Sequence, residues 1–206
     1  MAIVLHYHPF TRAAGMLWAL EEAGVPYELQ FVDIMKGAQK SADFVAINPM
    51  GKLPTLADDG LVVTEGAAIC LYLADRYAPG RLAPAQDSPK RGTYLRWSFF
   101  APSVIEPAVL SKVSGWDVKE VSAGWGNFEL MMKAADAAIG QGPFLLGEEF
   151  SMADVVFGGT LRFMISFKRI EPSPVMSAYV ARLESRPAMQ RADSRNQSMR
   201  EQFGLQ

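Results

Sequence analysis

Two short stretches carry residues whose types and spacing could do chemistry. In "INPMGKLPTL", Ile47 to Leu56, the second proline, Pro54, opens what otherwise reads as a β-strand. Proline is tolerated there because the first residue of a strand need not donate to the ladder. A cis Leu53-Pro54 bond would turn the chain sharply and present the Leu53 N–H and C=O outward, as an edge for an extended peptide ligand. An ordinary trans proline at a strand edge is the simpler alternative. Ten residues on, "VVTEGAAI" ends a strand and opens a helix, whose first N–H groups form a ready anion site. Glu65 puts a carboxylate where an ammonium could pair, and Gly66 has no side chain to block approach. One corner could thus hold both charges of an α-amino acid. Taken alone, Glu65 also suits the first turn of a helix, where an acid is worth under about 1 kcal/mol against the dipole.

The elements that must position this corner follow from periodicity. "AIVLHY" is a continuous apolar run suited to a buried strand, and Thr11 then precedes Ala13, Met16, Leu17 and Leu20 at helical spacing. Gly24 supplies the helix stop. "PYELQFV" alternates as a second strand. After a polar loop with a short helix around "MKGAQKSADF", the strands "LPTLA" and "LVVT" are joined through Asp58, Asp59 and Gly60, and a helix runs from Glu65 to about Tyr77. The order is βαβ then ββα. From "APGRLAPAQDSP" onward no strand pattern appears. The reading is α/β followed by all-α, with a first domain over 1–79, a linker over 80–87 and a helical domain over 88–206. Pro89 fits the first position of a helix, and "SMAD", Ser151 to Asp154, is a capping box before an apolar helix that includes Val155, Val156 and Phe157.

Composition narrows the classes of function. Of 206 residues half are apolar and a fifth charged, an ordinary globular balance, and 20 Lys plus Arg against 22 Asp plus Glu leave a formal charge of −2. That is too little for long-range attraction to nucleic acid or an anionic membrane, so neither is expected as a partner. Cys70 is the only cysteine, which rules out an intrachain disulfide and makes a buried thiol the default. With two histidines no metal site is expected, and the spacing of His6 and His8 reads as accidental. The N-terminus lacks signal-peptide character and no membrane span is visible, so residence is expected to be cytoplasmic.

The ordered set "HYHPFTRAAGMLWALEEAGVPYE", "NPMGKLPTL", "VTEGAAICLYLADRY" and "FLLGEEFSMADVVFG" resembles the cytosolic glutathione S-transferases of bacterial type, over nearly the whole chain. The resemblance implies a thioredoxin-like N-terminal domain, a helical C-terminal domain and a homodimer. It implies that Leu53, before a cis Pro54, pairs its backbone with the cysteinyl part of glutathione, and that Glu65 binds the γ-glutamyl group. The next family position usually carries a serine or threonine hydroxyl for the γ-glutamyl carboxylate. Here it is Gly66, which keeps the N–H and loses one hydrogen bond, worth roughly 1 kcal/mol. Lys52 could reach the glycyl carboxylate.

Such an enzyme must ionise a thiol of pKa about 8.5. Lowering that by two units takes about 2.7 kcal/mol of preferential stabilisation, within reach of one good donor plus a helix N-terminus. Thr11 matches the family's hydroxyl position before an arginine, Tyr7 matches the tyrosine of other classes and ranks second, and Arg12 could raise the local potential. A plain helix cap is the competing role for Thr11. Phe10, Tyr94, Trp97, Phe100 and Ser103 are candidates for an apolar electrophile pocket, although aromatics at helical spacing also suit a core. The resulting expectation is a glutathione transferase acting on a small apolar electrophile, in detoxification, with no cofactor beyond glutathione as co-substrate. The alternatives are a glutathione-dependent disulfide or peroxide reductase, which without an exposed active-site cysteine would need a second glutathione, and a non-catalytic glutathione-binding regulatory protein.

Overall fold

In the computed structural model, which describes residues 3–205, four strands form one sheet in the order β2-β1-β3-β4. β1 (Ile3–Tyr7) and β2 (Tyr27–Phe31) are parallel and are joined by α1 (Ala13–Ala23); β3 (Thr55–Asp58) runs antiparallel to both β1 and β4 (Leu61–Thr64). This is the expected βαβ-ββα order of a thioredoxin-like domain. α1 buries Met16, Leu17, Trp18 and Leu20 and stops at Gly24, whose φ of 71° is the left-handed conformation glycine adopts without a Cβ penalty. Buried Trp18 donates its indole N–H to Glu22 at 2.9 Å, so a carboxylate inside this helix face is satisfied. α2 (Ala42–Ile47) is the short helix expected within the polar stretch. α3 (Gly66–Tyr77) buries Ile69, Cys70 and Leu73 and packs on α1. Cys70 has no exposed surface, and burial pushes its thiol far up, as expected of a core residue.

The rest is helical: α4 (Lys90–Phe100), a π-helical turn at Ala101–Ile105, α5 (Glu106–Ser114), α6 (Phe128–Ile139), α7 (Met152–Ser166), α8 (Pro174–Glu184) and α9 (Pro187–Gln202). Contacts divide the chain into two units, one running to Tyr77 and resumed from Pro187, the other spanning Ala78–Arg186. The sequence reading placed every residue after 88 in one helical domain, whereas α9 belongs with the sheet because it packs on α1. Its apolar stripe, Ala188, Met189, Ala192 and Met199, signals burial without saying against what.

Within the helical unit α7 is central and packs on α4 and α8. The Ser151–Asp154 capping box is formed. The fully buried Asp154 carboxylate accepts from the Leu145 N–H at 2.9 Å, the Ser151 N–H at 2.9 Å and the Tyr179 hydroxyl at 2.8 Å. Burial pushes its carboxyl above the usual range against the pull of these donors. The box thus also ties α8 and the segment before α7 to one side chain.

Candidate active site

Strand register decides which residues can meet. His6 of β1 lies opposite Thr55 of β3, and Thr55 lies opposite Thr64 of β4, so the three form one row across the sheet. Just beyond that row, at one end of the sheet, come the β1–α1 connection with Tyr7 to Arg12, the β3 approach with Lys52 to Pro54, and the β4–α3 junction with Glu65 and Gly66. Ligands of α/β sheets favour such an end, outside the carboxyl ends of parallel strands.

The Leu53-Pro54 bond is cis, as the sequence suggested. Leu53 is half-buried, and its N–H and C=O have no hydrogen-bond partner among the described residues. The loop before it is fixed by a residue that the sequence reading passed over. Buried Asn48 donates to the Lys52 carbonyl at 2.9 Å and to the Thr55 hydroxyl at 3.0 Å, and accepts from the Met50 N–H at 3.1 Å. Gly51, at φ 59°, completes the turn, where a Cβ would lie 2.6 Å from the Gln39 carbonyl oxygen. The signal for Asn48 was its place ahead of a Pro-Met-Gly turn, which favours a side chain that mimics backbone. Lys52 is exposed, and its ammonium has no protein partner among the described residues.

Glu65 differs from its expected place in the first turn of α3. The helix starts at Gly66, and Glu65 precedes it at φ 66°, a conformation that costs a non-glycine residue energy and is concentrated at functional sites. Its carbonyl accepts from the Ile69 N–H at 2.9 Å, while its exposed carboxylate has no protein partner among the described residues. A Cβ at Gly66 would come no nearer than 3.5 Å to Met16, an ordinary contact, so the absence of a side chain is not a packing requirement.

The Thr11 hydroxyl is half-buried, donates to the His8 carbonyl at 2.9 Å and accepts from the Ala13 N–H at 3.2 Å. It therefore caps the chain entering α1, and its donor capacity lies on its own loop. His8 organises that loop. Its carbonyl also accepts from the Thr11 N–H at 3.1 Å, and its Nδ1 accepts from the Phe10 N–H at 3.2 Å. Burial lowers the His8 pKa against the opposing charge of Asp33, which keeps Nδ1 free to accept. The histidine spacing read as accidental thus hides one positioning residue, signalled only by a polar side chain ending an apolar strand. Tyr7 is fully buried and donates its hydroxyl to Asn196 of α9, and burial drives its acidity far below that of a free phenol. Arg12 is half-buried at the entrance to α1.

Phe10 is half-buried, with the Arg200 guanidinium carbon 5.1 Å from its ring centre. In the helical unit Tyr94 has no exposed surface and Trp97 only 7 %, so both are core residues and not the pocket lining expected of them. Helical spacing marked their burial and could not separate core from ligand surface. Phe100 is half-buried and packs against Trp97 and Phe157 at 5.2 and 5.9 Å between ring centres. Ser103 is exposed on the π-helical turn, an irregularity often found at functional sites. Among the described residues no cluster of His, Cys, Asp and Glu could hold a metal ion, and no helix is long and apolar enough to cross a membrane.

Residues 2–75 match the model of the glutathione S-transferase N-terminal domain, and residues 119–182 match that of the C-terminal domain. A human relative, glutathione S-transferase theta-2B, is 30 % identical over 177 residues, covering 79 % of this chain and 72 % of that protein. The chain belongs to the glutathione S-transferase family. A glutathione transferase from Methylococcus capsulatus is 30 % identical, with a TM-score of 0.78 over 95 % of this chain and 98 % of that one. The theta class glutathione S-transferase of Xanthomonas axonopodis pv. citri, solved with glutathione bound, is 33 % identical, with a TM-score of 0.74 over 93 % and 96 % of the two chains. The segments that carry Leu53, Glu65 and Thr11 all meet the sheet at the end marked by His6, Thr55 and Thr64.

Proposed function

We propose that this glutathione transferase is a cytoplasmic homodimer that binds glutathione at the end of its sheet and delivers the thiolate to a small apolar electrophile, in detoxification. The observation that carries the reading is the row His6, Thr55, Thr64, because it brings three differently suited groups to one edge. The unpaired Leu53 backbone suits the peptide of the cysteinyl residue. The Glu65 carboxylate suits the γ-glutamyl ammonium, and the N–H groups opening α3 suit its carboxylate. Lys52 would meet the glycyl carboxylate.

For the thiol, Thr11 is the assigned donor. Its proton must turn from the His8 carbonyl to sulfur, while the Ala13 N–H bond holds the oxygen in place. Tyr7 is an unsuitable donor, since it is fully buried and its hydroxyl donates to Asn196. Arg12 adds positive potential. The thiolate then displaces a leaving group at the electrophilic carbon, forming a carbon–sulfur bond as the leaving group departs with the bonding pair. Phe10, on the same connection as Thr11, is our proposal for an apolar contact to the electrophile. Exposed Leu61 and Val62 on edge strand β4 support self-association, which sedimentation would register as twice the chain mass.

The test is glutathione-dependent conjugation of an activated aryl halide by the purified chain, alongside calorimetry of glutathione alone. Saturable binding with turnover supports the reading. Binding without turnover would favour a regulatory protein, and turnover only with a glutathione mixed disulfide would favour a reductase.

A further inference from the structure

Helix α9 presents Asn196 and Arg200, at i and i+4, to the strand ends and loop that surround Thr11, and the turn that follows the helix adds Phe203. Asn196 takes the Tyr7 hydroxyl, and Phe203 stacks on Phe31 of β2 with ring centres 3.7 Å apart. Phe31 lies 5.3 Å from the His8 ring. Between these two anchors the Arg200 guanidinium stands 5.1 Å from the ring of Phe10, the residue immediately before Thr11. Its Nε is buried and has no hydrogen-bond partner among the described residues. A cation that is half-buried, aimed at an aromatic ring and left with an unused donor is held there at a cost, because a buried polar group without a partner is unfavourable.

We propose that Arg200, although about 190 residues from Thr11 along the chain, is the charge that stabilises the thiolate bound at the β1–α1 connection. This rests on the function proposed above. Arg200 does not touch the sulfur in this scheme. It acts through its field and by holding Phe10 under the guanidinium, which fixes the loop that carries the Thr11 hydroxyl. Its reach is already visible on the same strand end, where Arg200 and Arg195 both oppose the rise in the Tyr7 pKa that burial causes. The other charges around the loop are Arg12 at the start of α1, Arg195 on α9, Lys52 and Glu65 at the neighbouring strand ends, and Asp33 after β2, whose negative charge acts on His8. Arg200 is carried by a helix packed on α1 and lies against the Phe10 ring, so its charge is in place before any ligand arrives. The competing explanation is local: a cation in the last turn of α9 complements that helix's dipole.

A pair of readouts separates the two. The ultraviolet absorbance of the thiolate of enzyme-bound glutathione is titrated against pH in wild type, Arg200→Met and Arg200→Lys, and the affinity of each for S-methylglutathione, which has no ionisable thiol, is measured by calorimetry. Arg200→Met should raise the bound-thiol pKa by about half a unit to one unit, a three- to tenfold loss of thiolate at a pH well below it. Arg200→Lys should stay near wild type, and the affinity of all three for S-methylglutathione should agree within about twofold, since that ligand carries no charge on sulfur. An unchanged pKa in Arg200→Met, or an equal loss of S-methylglutathione affinity, overturns the proposal in favour of the helix-dipole role. Should Arg200→Met not fold, Arg200→Gln removes the same charge and is read in the same way. A wild-type enzyme that binds glutathione without lowering its pKa contradicts the function proposed above; a lowered wild-type pKa that is indifferent to Arg200 contradicts only this inference.

Discussion

The Thr11 hydroxyl donates to the His8 carbonyl and accepts from the Ala13 N–H, so stabilising a thiolate asks it to exchange one acceptor for another while keeping its cap. A hydrogen bond to a charged partner is worth about 1.5–3 kcal/mol, so Thr11→Val should raise the pKa of the bound thiol by about one to two units. Tyr7→Phe should leave it unchanged, because the tyrosine proton already goes to Asn196 in a fully buried site. Thiolate absorbance against pH checks both; a shift in Tyr7→Phe alone would reverse the assignment. Thr11→Val also loses the cap, about 1 kcal/mol, so its melting temperature must accompany the titration. At this scale the sequence was legible where a residue type has few uses. Pro54 at a strand start is such a case. It was silent where a role depends on partners: nothing in the order of residues says that Asn48 reaches across to Lys52 and Thr55, or that His8 holds Thr11.

Strands and helices are joined here by a few buried polar groups. At the end of β3, the Asp58 carboxylate accepts from the hydroxyls of Tyr72 and Tyr77 on α3 and lies 3.5 Å from Arg76. Burial pushes its carboxyl up, but the two hydroxyls and the guanidinium outweigh this and leave it below the usual range. A depressed carboxyl contributes stability that is present above its unfolded pKa, about 3.9, and is lost as pH falls through the folded value. Asp58→Asn should therefore destabilise the protein by about 1.5–3 kcal/mol at pH 7, with the difference shrinking toward pH 3. Denaturant unfolding at both pH values measures this, and a gap that widens on acidification would contradict the sign. In the helical unit, a Cβ on Gly158 of α7 would lie 2.1 Å from a methyl carbon of Leu183 on α8. Gly158→Ala should cost about 1–3 kcal/mol through overpacking despite its gain in helix propensity, as thermal unfolding would show. The four strands, α1, α3 and the capping box were readable from period and turn residues. The π-helical turn at Ala101–Ile105 was not, since its apolar spacing passes for continuous α-helix.

Across the whole chain, sequence patterning identified a sheet-containing part followed by helices and read 88–206 as one domain, whereas contacts group α9 with the sheet-containing unit. An amphipathic stripe states that a face is buried, and only the fold states that α1 covers it. The consequence reaches the site, because α9 supplies Asn196 to Tyr7 and Arg200 to Phe10. The candidate binding edge, by contrast, was assembled from local motifs, and strand register puts the strand ends from which they depart, His6, Thr55 and Thr64, in one row. Its central claim is that Glu65, held at φ 66° with an unpartnered carboxylate, is there to receive an ammonium and not to cap a helix. Calorimetric titration of glutathione into wild type, Glu65→Gln and Gly66→Ser tests this most directly. Removing the charge should weaken binding by about 1.5–3 kcal/mol while thermal stability changes by well under 1 kcal/mol, and Gly66→Ser, which has room for its Cβ, should tighten binding by roughly 1 kcal/mol. Equal affinity of wild type and Glu65→Gln for glutathione would contradict the account.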